Sequence, residues 1–284
     1  IRELDEITYG GIKRTTSALL LGPSGKGKST ALKWVGLSNA RIGKRVIHFQ
    51  IEGSEDECLE GYDAAWTASK LSGFDIQDFG NIDEKIKKKI LKARNDILAN
   101  KGEIYVYAAE SFDHMTIEQC REIVIDIERS IGKVDLIIFD YLEILETSRK
   151  FGNTESAERK RREYIANQIT NMGIELKTAT ITATQATDIN PKDLFNPDFV
   201  LTRHHISEFK GALKPFSYFI TINMTPDEQK NNICRLYCDK FRRHRDGQTI
   251  MIAQKKEIGR FYDHERTMRD FYDETTNSSI PITT

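Results

Sequence analysis

The residues Gly22-Pro23-Ser24-Gly25-Lys26-Gly27-Lys28-Ser29 match the pattern G-x-x-x-x-G-K-[ST] position for position. Glycines in such a loop let backbone N–H groups curl around an anion, and the start of a following helix adds partial positive charge. Lys28 can then reach the β- and γ-phosphates of a nucleotide, the Ser29 hydroxyl can ligate Mg²⁺, and Thr30 completes the binding set. The motif has meaning only between a strand and a helix. The apolar run Ser17–Leu21 precedes it, and a helical pattern from Lys28 to about Ile42 follows.

Other polar residues close apolar runs of the same kind. Glu52 follows Arg45–Ile51, Asp140 ends Val134–Asp140, and Gln185 follows Ala179–Thr184. Strands alternating with helices imply a parallel sheet, whose ligands bind at the carboxyl ends of its strands. Asp140 suits a Mg²⁺ ligand, direct or through water, against the alternative of an N-cap or turn aspartate. Glu52 is the expected general base for an attacking water. The acidic cluster Glu55-Asp56-Glu57 has a different explanation, since carboxylates favour the first turn of a helix, whereas Glu52 precedes the cap. Glu143 is the competing base. Gln185 offers an amide suited to the γ-phosphate or the water, or else is a satisfied polar side chain.

The elements that must position these groups read from hydrophobic period and capping. Ser54-x-x-Glu57 and Thr116-x-x-Gln119 are capping boxes that open helices, the first running to about Lys70. Residues 83–100 repeat apolar side chains at helical spacing opposite Lys87, Lys88 and Lys92, which read as a solvated face, and 154–177 form a long helix. Glu103–Tyr107 reads as a strand, and Ser217–Asn223, Ile233–Asp239, Thr249–Ala253 and Arg260–Tyr262 read as β segments joined by polar turns. Residues 187–214 lack a sustained period, and a connection of that length is a functional or mobile loop. With no repeat and no linker, residues 1–284 are expected to form one domain, with 1–16 a polar lead-in and 273–284 a frayed tail.

Composition narrows the classes. Lys+Arg 42 against Asp+Glu 43 gives a net charge of -1, so any contact with a nucleic-acid backbone must be local, on a loop or channel face. Cys234 and Cys238 lack further ligands at useful spacing, so zinc is not expected, and free thiols suit a reducing cytoplasm. No signal peptide or membrane-length apolar run is present, and no membrane partner is expected.

Walker A, a second strand ending in Glu52, then Phe139-Asp140-Tyr141-Leu142-Glu143-Ile144-Leu145 and Thr184-Gln185 together resemble the RecA-type motor domain of DnaB-family (superfamily 4) replicative helicases. That family usually has Gln where this chain has Glu143. The resemblance spans residues 1 to about 263 and implies a RecA-like P-loop NTPase of α/β class. Its sheet would be mostly parallel, flanked by helices, with antiparallel β additions at the C-terminal end. It also implies ATP and Mg²⁺ as ligands, a base after strand two, a bacterial or phage-infected cell, and a hexamer with active sites at subunit interfaces. Single-stranded DNA and a primase or helicase loader would be partners, the latter held by an N-terminal half that these residues do not match.

In the same family a Lys-x-Arg element reaches the γ-phosphate bound by the neighbouring subunit. Lys240-Phe241-Arg242 resembles it and keeps the lysine, with both side chains leaving one strand face; Arg243 with Arg245 is the other register. A basic hairpin that is merely exposed or DNA-facing is the alternative to both. Family helicases grip single-stranded DNA with channel loops, for which Arg149 and Lys150, and Arg203 and Lys210, are the candidates. The competing functions are a KaiC- or RadA-like ATPase, which Leu4-Asp5 and Gly10-Gly11 would also suit, and a nucleotide-gated loading module that does not unwind.

Overall fold

The computed structural model describes residues 1–69, 84–108, 115–187, 189–206, 211, 213–242 and 246–263. Lys210, the Arg243/Arg245 register and the expected tail at 273–284 lie outside these residues. In chain order the elements are α1 (Arg2–Thr8), β1 (Ser17–Gly22), α2 (Lys28–Arg41), β2 (Arg45–Gln50), α3 (Glu55–Thr67), α4 (Glu84–Ala99), β3 (Glu103–Ala108) and α5 (Ile117–Ile131). They continue with β4 (Leu136–Asp140), α6 (Glu155–Glu175), β5 (Ala179–Gln185), β6 (Tyr218–Asn223), α7 (Pro226–Lys230), β7 (Ile233–Phe241), β8 (Gln248–Lys255) and β9 (Arg260–Asp263).

One sheet of order β3-β2-β4-β5-β1-β6-β7-β8-β9 runs through the chain. From β3 to β6 the neighbours are parallel, and from β6 to β9 they are antiparallel. Residues along β1 alternate between its two faces, as the pleat requires. Leu19 and Leu21 pack with Ile47, Phe49 and Phe139 against α5 and α6. Ala18 and Leu20 pack with Ile138 and Ile181 against α2. Both faces are therefore covered, which is why these strands read as continuous apolar runs rather than alternating ones.

The helices start where the caps predict. Ser54 Oγ accepts from Glu57 N at 3.0 Å while Glu57 returns the bond to Ser54 N at 3.3 Å, and Thr116 with Gln119 repeats the pattern at α5. The lead-in differs from its polar reading: Arg2–Thr8 is helical. Its Ile1, Leu4 and Ile7 pack on the α2-side core, and Arg2 N donates to Asp263 Oδ1 at the end of β9, so tertiary packing orders a helix too short to stand alone.

A nucleotide cradle at the carboxyl edge of the sheet

The connections from β1 through α2 to β2 skip over β4 and β5 in the sheet, so the chain switches direction beside β1. That switch point leaves a crevice at the strands' carboxyl ends. Register aligns those ends: Gly22 pairs with Gln185, and Gln50 pairs with Asp140. The four sequence positions at strand ends (the P-loop, Glu52, Asp140 and Gln185) thus share one edge of four neighbouring strands.

In the loop, Gly25 (φ +71°) and Gly27 (φ +91°) take the left-handed conformation that L side chains avoid. Gly27 is required on a second count, because a Cβ there would meet Gln254 Nε2 at 1.9 Å. Lys28 folds back on the loop and donates to the carbonyls of Gly22 and Pro23, both at 3.0 Å. Burial lowers its pKa, opposed by the charges of Glu143, Asp140 and Glu52.

Ser29 Oγ donates to Asp140 Oδ1 at 3.0 Å. Asp140 is only 2% exposed, and its Oδ2 is buried with no partner among the described residues. Burial raises its pKa, against the Ser29 hydrogen bond and the Lys33 charge. A hydroxyl and a carboxylate joined at one oxygen, with the second oxygen orphaned beside a lysine, is a donor set that fits hard, oxygen-seeking Mg²⁺. An orphaned buried carboxylate oxygen is otherwise costly.

Glu52 is exposed just past β2, and its carbonyl accepts from the Gln50 amide. Glu143 lies in a 3-10 turn, Leu142–Ile144, after β4. Its Oε1 accepts from Gln185 N at 2.8 Å and from Thr184 Oγ1, while its Oε2 is buried without a partner among the described residues. The two candidate bases therefore differ: Glu143 is pinned to β5, whereas Glu52 projects at the open edge. Gln185 has its side chain exposed.

Lys240 and Arg242 both donate to the Lys214 carbonyl, at 3.3 and 3.0 Å, so they leave β7 on one face. They sit far from their own cradle. Lys240 pairs with Phe219, which pairs with Leu19, near the amino end of β1 rather than its carboxyl end. Arg203, expected on a DNA-facing loop, is tied instead to the neighbouring Asp239: its backbone N donates at 2.9 Å and its Nε lies 3.2 Å away. Arg149 lies over the rings of Tyr164 and Phe151, 5.1 and 5.4 Å from their centroids, and Lys150 is exposed.

Some contributors to this edge carry no local motif. Because β8 runs antiparallel to β7, its end returns to the cradle, where Gln254 is buried against Gly27 and Lys256 donates to the Gly25 carbonyl at 2.9 Å. Lys26 donates to Gln229 Oε1 at 2.7 Å. A cavity of about 470 Å³ opens between these residues and Met224 and Ile233. The available signal is a polar residue closing the apolar run Thr249–Ala253, the same signature that marks the other strand ends.

Among solved structures the chain is similar to the ATPase domain of a DnaB-like helicase, with a TM-score of 0.76, 17% identity, and coverage of 92% of this chain and 89% of that one. It is similar to a DnaB-like replicative helicase described with its primase interactions, at TM-score 0.75 and 16% identity, covering 93% of this chain and 60% of that one. The RadB recombinase matches at TM-score 0.54 and 14% identity, covering 92% and 96%. No protein-family model matches the sequence, and no curated protein does. The fold is RecA-like, and DnaB-like helicase ATPase domains are its structural neighbours. No helix among the described residues is long and apolar enough to cross a membrane.

Proposed function

We propose that residues 1–284 form the ATP-hydrolysing motor domain of a ring-forming replicative DNA helicase of the cytoplasm, translocating on single-stranded DNA. The observation that carries the reading is the Ser29–Asp140 pair with its orphaned oxygen, set on one sheet edge with Lys28, Glu52 and Gln185. The likeness to DnaB-like ATPase domains over nine-tenths of the chain supports placing this ATPase among helicase motors.

In this reading the backbone from Gly22 to Thr30 cradles the phosphates of ATP, and the nucleoside lies in the cavity beside Gln254, a volume typical of small-ligand sites. Lys28 exchanges the Gly22 and Pro23 carbonyls for the β- and γ-phosphates. Ser29 and Asp140 hold Mg²⁺, which when bound neutralises charge developing on the phosphates. Glu52 accepts the proton of the attacking water, and Gln185 contacts the γ-phosphate. Lys240 and Arg242, at the opposite end of the sheet from their own cradle, serve the neighbouring subunit of a hexamer. Arg149, Lys150, Arg203 and Lys210 face single-stranded DNA, and a primase or loader is a further partner.

The test separates binding from turnover. Lys28→Ala should weaken nucleotide binding and abolish hydrolysis, whereas Glu52→Gln should bind ATP normally and hydrolyse it ~100-fold or more slowly, since shape is kept and proton acceptance lost. Near-normal hydrolysis by Lys28→Ala removes the cradle from the mechanism. Near-normal hydrolysis by Glu52→Gln removes Glu52 as the base.

A further inference from the structure

The turn after β4 reaches across to the end of β5 through one side chain. Glu143 Oε1 takes two donors from consecutive residues of that strand, the Thr184 hydroxyl and the Gln185 backbone N–H. The same strand end is tied to the cradle from the other side. Gln185 pairs with Gly22, and Ala186 N donates to the Gly22 carbonyl at 3.2 Å. That carbonyl is also one of the two that hold Lys28. A continuous set of contacts therefore runs Glu143, Thr184–Ala186, Gly22, Lys28.

We infer that Glu143 is a positioning residue that sets the end of β5 against the P-loop, so that the Gln185 side chain is aimed before nucleotide arrives. Two donors on one oxygen fix the strand terminus at the point where hydrogen bonding between β4 and β5 has ended, since their pairing stops at Phe139 and Thr182. Without the carboxylate, Thr184 and Gln185 N–H would be left to solvent at the strand's frayed end. The function required of Glu143 is an acceptor oxygen at this position and not a proton acceptor, and an amide supplies the same oxygen. Burial raises the Glu143 pKa, against the opposing hydrogen bonds from Thr184 and Gln185, which agrees with a group held for its geometry. The inference rests on Gln185 acting at the γ-phosphate.

Amide hydrogen exchange on the nucleotide-free protein and steady-state kinetics give the test together. Glu143→Ala should lose protection at the Gln185 amide and lower kcat by about tenfold to a hundredfold, the scale of a ~1 Å misplacement of a catalytic contact, with KM for ATP changed less. Glu143→Gln should keep the protection and restore kcat to within about threefold of wild type. In a Gln185→Ala background, Glu143→Ala should lower kcat no further, because the side chain it aims is gone. Thr184→Val removes one of the two donors and should show the same loss of protection in smaller degree, which serves if Glu143→Ala does not fold. The inference is overturned if Glu143→Gln is as slow as Glu143→Ala, or if Glu143→Ala costs its full factor in the Gln185→Ala background. Normal turnover by Gln185→Ala alone overturns the role of Gln185 itself, and with it this inference.

Discussion

Arg235 offers the clearest quantitative test of how the edge beside the cradle is held. It lies on β7 with 9% of its side chain exposed, against Glu228 at 16%. Its Nε donates to Glu228 Oε1 at 2.7 Å, its Nη2 to Glu228 Oε2 at 3.1 Å, and its Nη1 to the Phe199 carbonyl at 3.0 Å. The pair thereby ties α7, which flanks the nucleoside cavity, to the loop between β5 and β6. An exposed ion pair would contribute ~0–1 kcal/mol, but breaking a buried one strands the remaining charge at ~3–5 kcal/mol. The small residual exposure places Arg235→Met near the lower end, about 3 kcal/mol. At roughly 2–4 °C per kcal/mol for a chain of this size, the melting temperature should fall by about 6–12 °C. Urea unfolding should show a lower midpoint with an unchanged slope. Adding Glu228→Gln to Arg235→Met should return about 1 kcal/mol or more by removing the stranded charge, because the amide oxygen can still accept from Thr225 N, now bonded at 2.7 Å. A loss under about 1 kcal/mol for Arg235→Met, with no recovery in the double variant, refutes the reasoning.

Three further outcomes are expected. His48 is fully buried with Nδ1 2.7 Å from Tyr62 Oη, and burial lowers its pKa to about 3. Its contribution to stability is therefore complete above about pH 6.5 and is lost as pH falls toward 3, by ~1.4 kcal/mol per unit, and urea titrations of His48→Gln should lack that slope. Replacing Arg203 and Lys210 by Ala should weaken single-stranded DNA binding and flatten its salt dependence while basal hydrolysis survives; an unchanged salt slope points to Arg149 and Lys150 instead. Arg242→Ala should bind ATP yet hydrolyse it ~1000-fold more slowly, and mixing it with Lys28→Ala should restore activity at mixed interfaces. Confirmed subunit exchange without recovery assigns the finger to the Arg243/Arg245 register or to its own subunit.

The cradle is legible because its chemistry is local. A glycine-rich loop between an apolar strand and a helix, and carboxylates closing apolar runs, are patterns of neighbours in sequence. Capping boxes locate α3 and α5 for the same reason. What escapes a sequence reading depends on partners remote in the chain. Residues 2–8 look polar, and they become helical because Leu4 and Ile7 find the sheet and Arg2 finds Asp263. Arg203 reads as a free loop cation until β7 brings Asp239 to it. Gln254 carries no motif, and only the antiparallel return of β8 sets it against Gly27. Glu143 reads as a competing base because it follows Asp140, whereas its two bonds to β5 are invisible to spacing.

The central claim is that this ATPase drives strand separation, and a forked-duplex assay with ATP and Mg²⁺ tests it most directly. The account predicts ATP-dependent unwinding of the fork, hydrolysis accelerated by single-stranded DNA, and neither activity in Lys28→Ala. Hydrolysis that is slow, indifferent to single-stranded DNA and unaccompanied by strand separation would contradict it, and would identify the chain as a nucleotide-gated module on the same fold.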